Sequence, residues 1–148
     1  MSGQVFGRIL VAVDDSPAAL AAARLAVALA ARTGGGVRFV HVGGNGEVTS
    51  ALRAMGRDGA LAARRSAAVD ALLQHVAAQA EHEGITAETG SGSGQPAALV
   101  LAEARRWHAD LVVLGRSDAG GPGRTHIGSV AREVLEFADV PVLVVPRP

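Results

Sequence analysis

The residues best placed to do chemistry lie in a glycine-rich stretch from Asp110 to Val130. A short apolar run, Leu111–Leu114, has the length and composition of a buried strand, and it stops at Gly115. A loop rich in glycine, serine and arginine follows, and an amphipathic segment begins at Gly128 and Ser129. A strand, a glycine-rich loop and a helix N-terminus in succession let backbone N–H groups and the helix dipole approach an anion. The stretch therefore predicts an anion-binding site.

Two adjacent carboxylates, Asp14 and Asp15, follow a second apolar run, Ile9–Val13. At the end of a strand they could hold a ribose hydroxyl, a metal ion or a phosphoryl group. Acidic residues in this place also simply begin a helix, since Ser16 is a favourable N-cap and Pro17 suits the first helical position. Both interpretations stay open, but a phosphoacceptor site is disfavoured because the chain lacks the lysine that such a site uses after its last strand.

No catalytic motif accompanies these residues. The sequence has no G-x4-G-K-[ST] phosphate-binding loop, no G-x-G-x-x-G after the first strand and no nucleophile elbow. The absence of cysteine excludes thiol nucleophiles, zinc–thiolate sites and disulfides. His75 and His82 would share a helix face, but without a carboxylate partner a structural role is favoured over a metal site. We therefore predict no catalytic residues.

Composition and charge limit the kinds of partner. Of the 148 residues, 49% are hydrophobic and 19% are charged, which is typical of a folded domain. Fourteen basic and fourteen acidic side chains balance, so no field of a single sign would attract nucleic acid. No apolar run reaches the ~18 to 20 residues of a membrane span, and the N-terminus has no signal-peptide pattern. We expect a cytoplasmic protein that binds neither nucleic acid nor a membrane.

Strand-like and helix-like segments alternate along the chain. The predicted strands are Ile9–Val13, Val37–Val42, Ile85–Gly90, Leu111–Leu114 and Val140–Val145, of which the third is expected near an edge. Helices are predicted at about 17–32, 60–83, 96–107 and 129–138, the last with Val130, Val134, Leu135 and Ala138 on its buried face. This alternation predicts one α/β domain, residues 1–148, with a doubly wound parallel sheet. Ligands bind such sheets beyond the carboxyl ends of the strands, where Asp14, Val42, Gly90 and Gly115 would meet.

Four blocks of the sequence together resemble the universal stress protein family: ILVAVDDSP, VRFVHV, SGSGQPAALVLAEARRWHADLVVLG and GSVAREVLEFADVPVLVV. They occur in the family's order and leave out only the variable segment 43–59. The resemblance implies a five-stranded parallel sheet in the order 3-2-1-4-5 with two helices on each face. It also implies a homodimer that pairs through the last strand, at Val142–Val145.

Nucleotide-binding members of that family carry the motif G-x2-G-x9-G-[ST], which cradles the phosphates of ATP. This chain has the first glycine, Gly115, the last glycine, Gly128, and the hydroxyl residue, Ser129, at the family's spacing. Asp118 replaces the second glycine, while Arg124 lies where the family often has a basic residue. The resemblance thus implies a site for ATP, with Mg2+, made by these residues: Ala12, Val13, Asp14, Val42, Gly115, Asp118, Arg124, Gly128, Ser129 and Val130.

Asp118 leaves two functional hypotheses open. A carboxylate about 4 Å from a phosphate oxygen costs on the order of 4 kcal/mol at an effective dielectric constant of about 20. A bridging Mg2+, or neutralisation by Arg116 or Arg124, would offset that cost. The leading hypothesis is a regulatory protein whose bound adenine nucleotide changes a partner surface, with slow ATP hydrolysis as its upper limit of activity. The alternative is a dimerising interaction module that has lost the phosphate site.

Overall fold

Strands and helices alternate through the described part of the chain. The computed structural model describes residues 5–14, 16–42, 58–92, 94–116 and 127–148, without the side chains of 58–63 and 65. Within these ranges the strands are β1 (Arg8–Val13), β2 (Gly36–His41), β3 (Ala87–Ser91), β4 (Leu111–Gly115) and β5 (Val142–Val145). The helices are α1 (Pro17–Thr33), α2 (Asp58–His82), α3 (Pro96–Trp107) and α4 (Ser129–Phe137). None of these helices is long and apolar enough to cross a lipid bilayer.

The five strands form one parallel sheet in the order β3-β2-β1-β4-β5, which confirms the predicted topology. In its middle, Val11 of β1 lies between Phe39 of β2 and Val113 of β4. Strands β1 and β4 are buried along nearly their whole length, as expected for parallel strands covered on both faces. Because all five strands run in one direction, their carboxyl ends lie along a single edge of the sheet.

Alternate residues of β1 pack into two separate cores. Ile9, Val11 and Val13 contribute to the core beneath α1 and α2, and each is fully buried. Leu10 and Ala12 contribute to the other core, beneath α3 and α4. This alternation follows from the two-residue period of a strand. The prediction of two helices on each face is confirmed.

Helix α1 begins and ends as the sequence predicts. Ser16 has an extended backbone, its Oγ accepts the N–H of Ala19 at 3.1 Å, and Pro17 occupies the first helical position. Gly34 ends the helix in the left-handed conformation, with φ of 75°. The buried face of α1 is almost entirely alanine. Such small side chains let the helix backbone lie close to the strands beneath it.

Strand β3 begins at Ala87, two residues after the predicted start at Ile85. Ile85 belongs to the end of α2, because its N–H donates to the carbonyl of Ala80 at 2.9 Å. The N–H of Gly84 donates to the carbonyl of Glu81, also at 2.9 Å. Together these bonds form a Schellman motif, which favours an apolar residue after the glycine. Ile85 is accordingly buried, whereas β3 is largely exposed at the edge of the sheet.

The buried face of α4 differs from the prediction. The helix buries Ala131 and Val134, while Leu135 is 43% exposed and Phe137 is 56% exposed. Successive helical residues are about 100° apart, so a helix that turns Val134 toward the sheet turns Leu135 away from it. The last strand also starts later than predicted, at Val142. Pro141 has no N–H to give to a strand ladder, which accounts for this shift.

A polar network joins β2, β3 and α3 on one face of the sheet. Arg38 donates to Glu103 at 3.1 Å, and Arg106 lies 2.8 Å from the same carboxylate. Glu88 accepts hydrogen bonds from Arg38 at 3.4 Å and from the indole N–H of Trp107 at 2.9 Å. Burial raises the pKa of the Glu103 carboxyl, but the hydrogen bonds and charges of Arg106 and Arg38 outweigh burial and lower it overall. The network therefore stabilises ionised Glu103.

Glu103→Gln is expected to weaken the dependence of stability on acid pH. Because the pKa of Glu103 is below its ordinary 4.5 in the folded protein, its ionisation stabilises the fold above that pH. This contribution is lost as the pH falls through the lowered pKa, and a glutamine cannot supply it. In urea titrations, the difference in unfolding free energy between neutral and acid pH should therefore shrink. Glu136→Gln, at an exposed position of α4, should leave that difference unchanged. Identical pH profiles for wild type and E103Q would contradict this role of Glu103.

Candidate functional site

A cleft with a volume of about 200 Å³ lies at the carboxyl ends of β1, β2 and β4. Its apolar part is formed by Ala12, Val42 and Leu114, which pack on the α3 and α4 side of the sheet. The N-termini of α1 and α4 form two of its sides. The sheet thus brings two helix N-termini together, and the positive ends of both helix dipoles face the cleft.

The cleft gathers most of the residues that the sequence singles out. Those that line it are Ala12, Asp14, Val42, Gly115, Gly128, Ser129 and Val130. Val13 is different, because its side chain is fully buried in the core beneath α1 and α2. The side chain of Val13 therefore does not reach the cleft. Asp118 and Arg124 lie outside the described residues, as does most of the segment 43–59.

Asp14 both lines the cleft and fixes the start of α1. Its Oδ1 accepts the backbone N–H of Ser16 at 2.8 Å, and Ser16 in turn caps the N–H of Ala19. These two hydrogen bonds support the helix-initiating interpretation of Asp14. They also hold its carboxylate at the mouth of the cleft, where it is available to a ligand that carries hydroxyl or amino donors.

The N-terminus of α4 lacks the side-chain cap that α1 has. Gly128 precedes the helix with φ of 88° and ψ of 152°, and no described side chain caps the first turn. Ser129, Val130 and Ala131, whose backbone N–H groups belong to that turn, all line the cleft. Free N–H groups at a helix N-terminus favour an anionic ligand. This end of the cleft therefore suits a phosphate or carboxylate group.

Gly115 is required for the close approach of β4 to α1. A Cβ atom at this position would lie 2.6 Å from the carbonyl carbon of Ala18 and 2.7 Å from the backbone nitrogen of Ala19. Both are backbone atoms, which cannot move aside as a flexible side chain can. The first glycine of the predicted phosphate motif thus has a packing role, independent of any ligand.

Several residues of the cleft are not identified from the sequence as ligand-binding residues. They are Ser16, Ala19, Leu114, Ile127 and Ala131. Arg116 also lines the cleft, although the sequence suggests it only as a counter-charge for Asp118. The strand alternation could have placed Arg116, since it follows Leu114 by two residues and Leu114 faces the α4 side. Ser16 and Ala19 could not have been placed without knowing how close the start of α1 lies to the end of β4.

The described lining of the cleft carries one negative and one positive side chain, Asp14 and Arg116. Among the described residues they form no ion pair with each other or with any other side chain. The same part of the chain contains no cluster of three or more histidine, aspartate or glutamate side chains that could hold a metal ion. The predicted Mg2+ contact depends on Asp118, which lies outside the described residues.

The sequence model of the universal stress protein family matches residues 6–146 of this chain. The chain belongs to the universal stress protein family. A universal stress protein of Bacillus subtilis is 28% identical over 147 residues, covering 95% of this chain and 99% of that protein. Universal stress proteins of Synechocystis and Methanocaldococcus jannaschii are 34% and 38% identical over 73 and 76 residues. Those two matches span only about half of each relative, 47% and 45%.

Solved universal stress protein structures share the fold. That of Lactobacillus plantarum is 27% identical, with a TM-score of 0.70, and covers 95% of this chain and 97% of that one. A universal stress protein from Archaeoglobus fulgidus in complex with dAMP has 24% identity and a TM-score of 0.69, covering 95% and 98%. Another, in complex with cAMP, has 21% identity and a TM-score of 0.70, covering 97% and 99%.

Proposed function

We propose that this universal stress protein binds an adenine nucleotide, ATP in the first instance, in the cleft at the ends of β1, β2 and β4. The observation that carries the proposal is the first turn of α4, which no described side chain caps and which lines a cleft beside the cationic Arg116. Complexes of proteins with this fold with cAMP and dAMP support it. Nucleotide occupancy would regulate a partner surface in the response to stress.

Each part of the cleft suits one part of the nucleotide. The adenosine end would contact Ala12, Val42 and Asp14, whose carboxylate can accept hydrogen bonds from ribose hydroxyls. The phosphates would contact Gly128, Ser129 and Val130 at the N-terminus of α4. Arg124 and a Mg2+ ion bridging Asp118 would complete the site for the longer phosphate chain of ATP.

Two measurements test nucleotide binding. The freshly purified protein is denatured and the supernatant is analysed for released nucleotide, and the nucleotide-free protein is then titrated with ATP, with and without Mg2+, by calorimetry. We expect binding in both conditions, and tighter binding with Mg2+ if the ion bridges Asp118. No released nucleotide and no heat up to millimolar ATP would refute the proposal.

The alternative function is a dimerising interaction module without a nucleotide. The replacement of the second motif glycine by Asp118 favours it, because a carboxylate repels phosphate. The ATP titration of the wild-type protein separates the two functions. Asp118→Gly tests the position given to Asp118: it should tighten ATP binding, or restore it if the wild type binds none, and an unchanged affinity would contradict the assignment of Asp118 to the phosphate site.

We also propose a cytoplasmic homodimer of single-domain chains, paired through β5. This strand forms an edge of the sheet, and most of its side chains are only partly buried. Leu135 and Phe137 are exposed on α4, which contacts β5. Light scattering should give a mass of twice 14.9 kDa. A monomer at tens of micromolar protein would contradict the role given to Val142–Val145.

A further inference from the structure

We infer that Arg116 binds the phosphate of the ligand and so determines that the cleft prefers a nucleotide over a nucleoside. The inference rests on the proposed nucleotide function and assigns the charge specificity of that site to one side chain. No spacing in the phosphate motif identifies this residue; its position in the cleft does.

The backbone holds Arg116 in a defined position at the end of β4. Its N–H donates to the carbonyl of Val145 at 2.7 Å, which extends the pairing of β4 with β5 by one residue. Along β4, Leu114 faces the α3 and α4 side, and Gly115 faces the backbone of α1. The next position returns to the α4 side, which places Arg116 in the cleft lining on the same side as the first turn of α4.

Arg116 has a charge that no described carboxylate neutralises. Elsewhere in the described residues, Arg38 and Arg106 pair with Glu103, and Arg105 pairs with Asp139 at 3.1 Å. Arg116 makes no such pair with a described residue, although it is partly buried. The acidic residue of the described lining, Asp14, accepts the N–H of Ser16. A partly buried cation that no described carboxylate neutralises is available to an anionic ligand.

Two positive features therefore act on the same part of the cleft. The first turn of α4 offers backbone N–H groups and the positive end of its dipole. Arg116 offers a planar guanidinium, which can give two parallel hydrogen bonds to phosphate oxygens. Both interactions require an anionic group and neither contributes to binding an uncharged nucleoside. The affinity for AMP should accordingly exceed that for adenosine.

The test compares adenosine, AMP and ATP as ligands of wild type and three variants by calorimetry. Arg116→Gln removes the charge and keeps a polar side chain of similar length. Arg116→Lys keeps the charge without the planar fork. Arg132→Gln removes an arginine from the exposed face of α4 and is the matched control.

We expect Arg116→Gln to lower the affinity for AMP and ATP by about tenfold to a hundredfold, as for loss of a charge-assisted hydrogen bond. The affinity for adenosine should fall by less than about twofold. Arg116→Lys should recover part of the AMP affinity, and Arg132→Gln should match wild type. The salt dependence of AMP binding should also decrease in Arg116→Gln.

An unchanged AMP affinity in Arg116→Gln would overturn the inference, as would equal losses for adenosine and AMP, which would indicate a structural role. Both results would leave the proposed function intact, because wild type would still bind nucleotide. A wild type that binds none of the three ligands would refute the proposed function, and this inference with it.

Discussion

Gly115→Ala is expected to destabilise the protein by about 1–3 kcal/mol, the usual cost of forcing an extra methyl group into a packed region. The new Cβ would lie 2.6 Å from the backbone of Ala18, so β4 or α1 must shift. Either shift would also displace Arg116 and Ser16, which line the cleft. The variant should therefore lose nucleotide affinity as well as stability.

Gly92→Ala is the matched control for Gly115→Ala. Its Cβ would also meet an atom at 2.6 Å, but that atom is Cδ1 of Leu99, at the end of a flexible side chain. Leu99 can change rotamer, so the cost should be well below that of Gly115→Ala. Urea titrations of the two variants measure the difference. Equal unfolding free energies would contradict the conclusion that backbone contact makes Gly115 necessary.

Gly128→Ala is expected to lower the free energy of unfolding by about 1–3 kcal/mol and the affinity for AMP by at least tenfold. With φ of 88° and ψ of 152°, Gly128 occupies a region that residues with a Cβ almost never adopt. An alanine would relax toward negative φ and reorient the first turn of α4. The N–H groups of Ser129 and Val130 would then no longer converge on the cleft.

Gly84→Ala separates strain from ligand binding. Gly84 also has a positive φ, 78°, but it lies at the end of α2 with open space around its Cβ position. Its alanine variant should lose stability by about 1–2 kcal/mol and keep the wild-type nucleotide affinity. If both variants lose affinity equally, global destabilisation and not the geometry of α4 explains the effect of Gly128→Ala.

The ends of the helices could be predicted from the sequence because the contacts that determine them lie within a few residues, and the order of the elements then predicts the topology. Ser16 and Pro17 specify the start of α1, and Gly34 specifies its end, by hydrogen bonds and backbone angles that neighbouring residues determine. The alternation of strands and helices then limits the sheet to a parallel, doubly wound arrangement. The resemblance to the universal stress proteins added the strand order.

The predicted strand start at Ile85 and the predicted burial of Leu135 were wrong because contacts with another element decide where these residues lie. Ile85 has the apolar character of a strand residue, but its N–H completes the end of α2. Leu135 has the apolar character of a core residue, but the alignment of α4 with the sheet is determined by Ala131 and Val134. A hydrogen bond decides the position of Ile85 and helix packing decides that of Leu135, and the hydrophobic period alone specifies neither.

The sequence predicts which strand ends form the site, but not which residues of α1 line it. Parallel strands place Asp14, Val42 and Gly115 at the same edge of any such sheet. The contributions of Ser16 and Ala19 depend on the distance between the start of α1 and the end of β4, which the alanines of α1 and the absence of a side chain at Gly115 make short.

Trp107 provides a fluorescence signal for unfolding that lies away from the cleft. It is the only tryptophan in a chain without tyrosine, and its ring lies 4.2 Å from the guanidinium carbon of Arg8. It precedes β4, so about the length of a strand, roughly 17–20 Å, separates it from the cleft. Its fluorescence should change on unfolding and stay constant on ligand binding. Urea titrations followed by this emission, with and without nucleotide, would therefore measure ligand affinity through the shift of the unfolding midpoint alone.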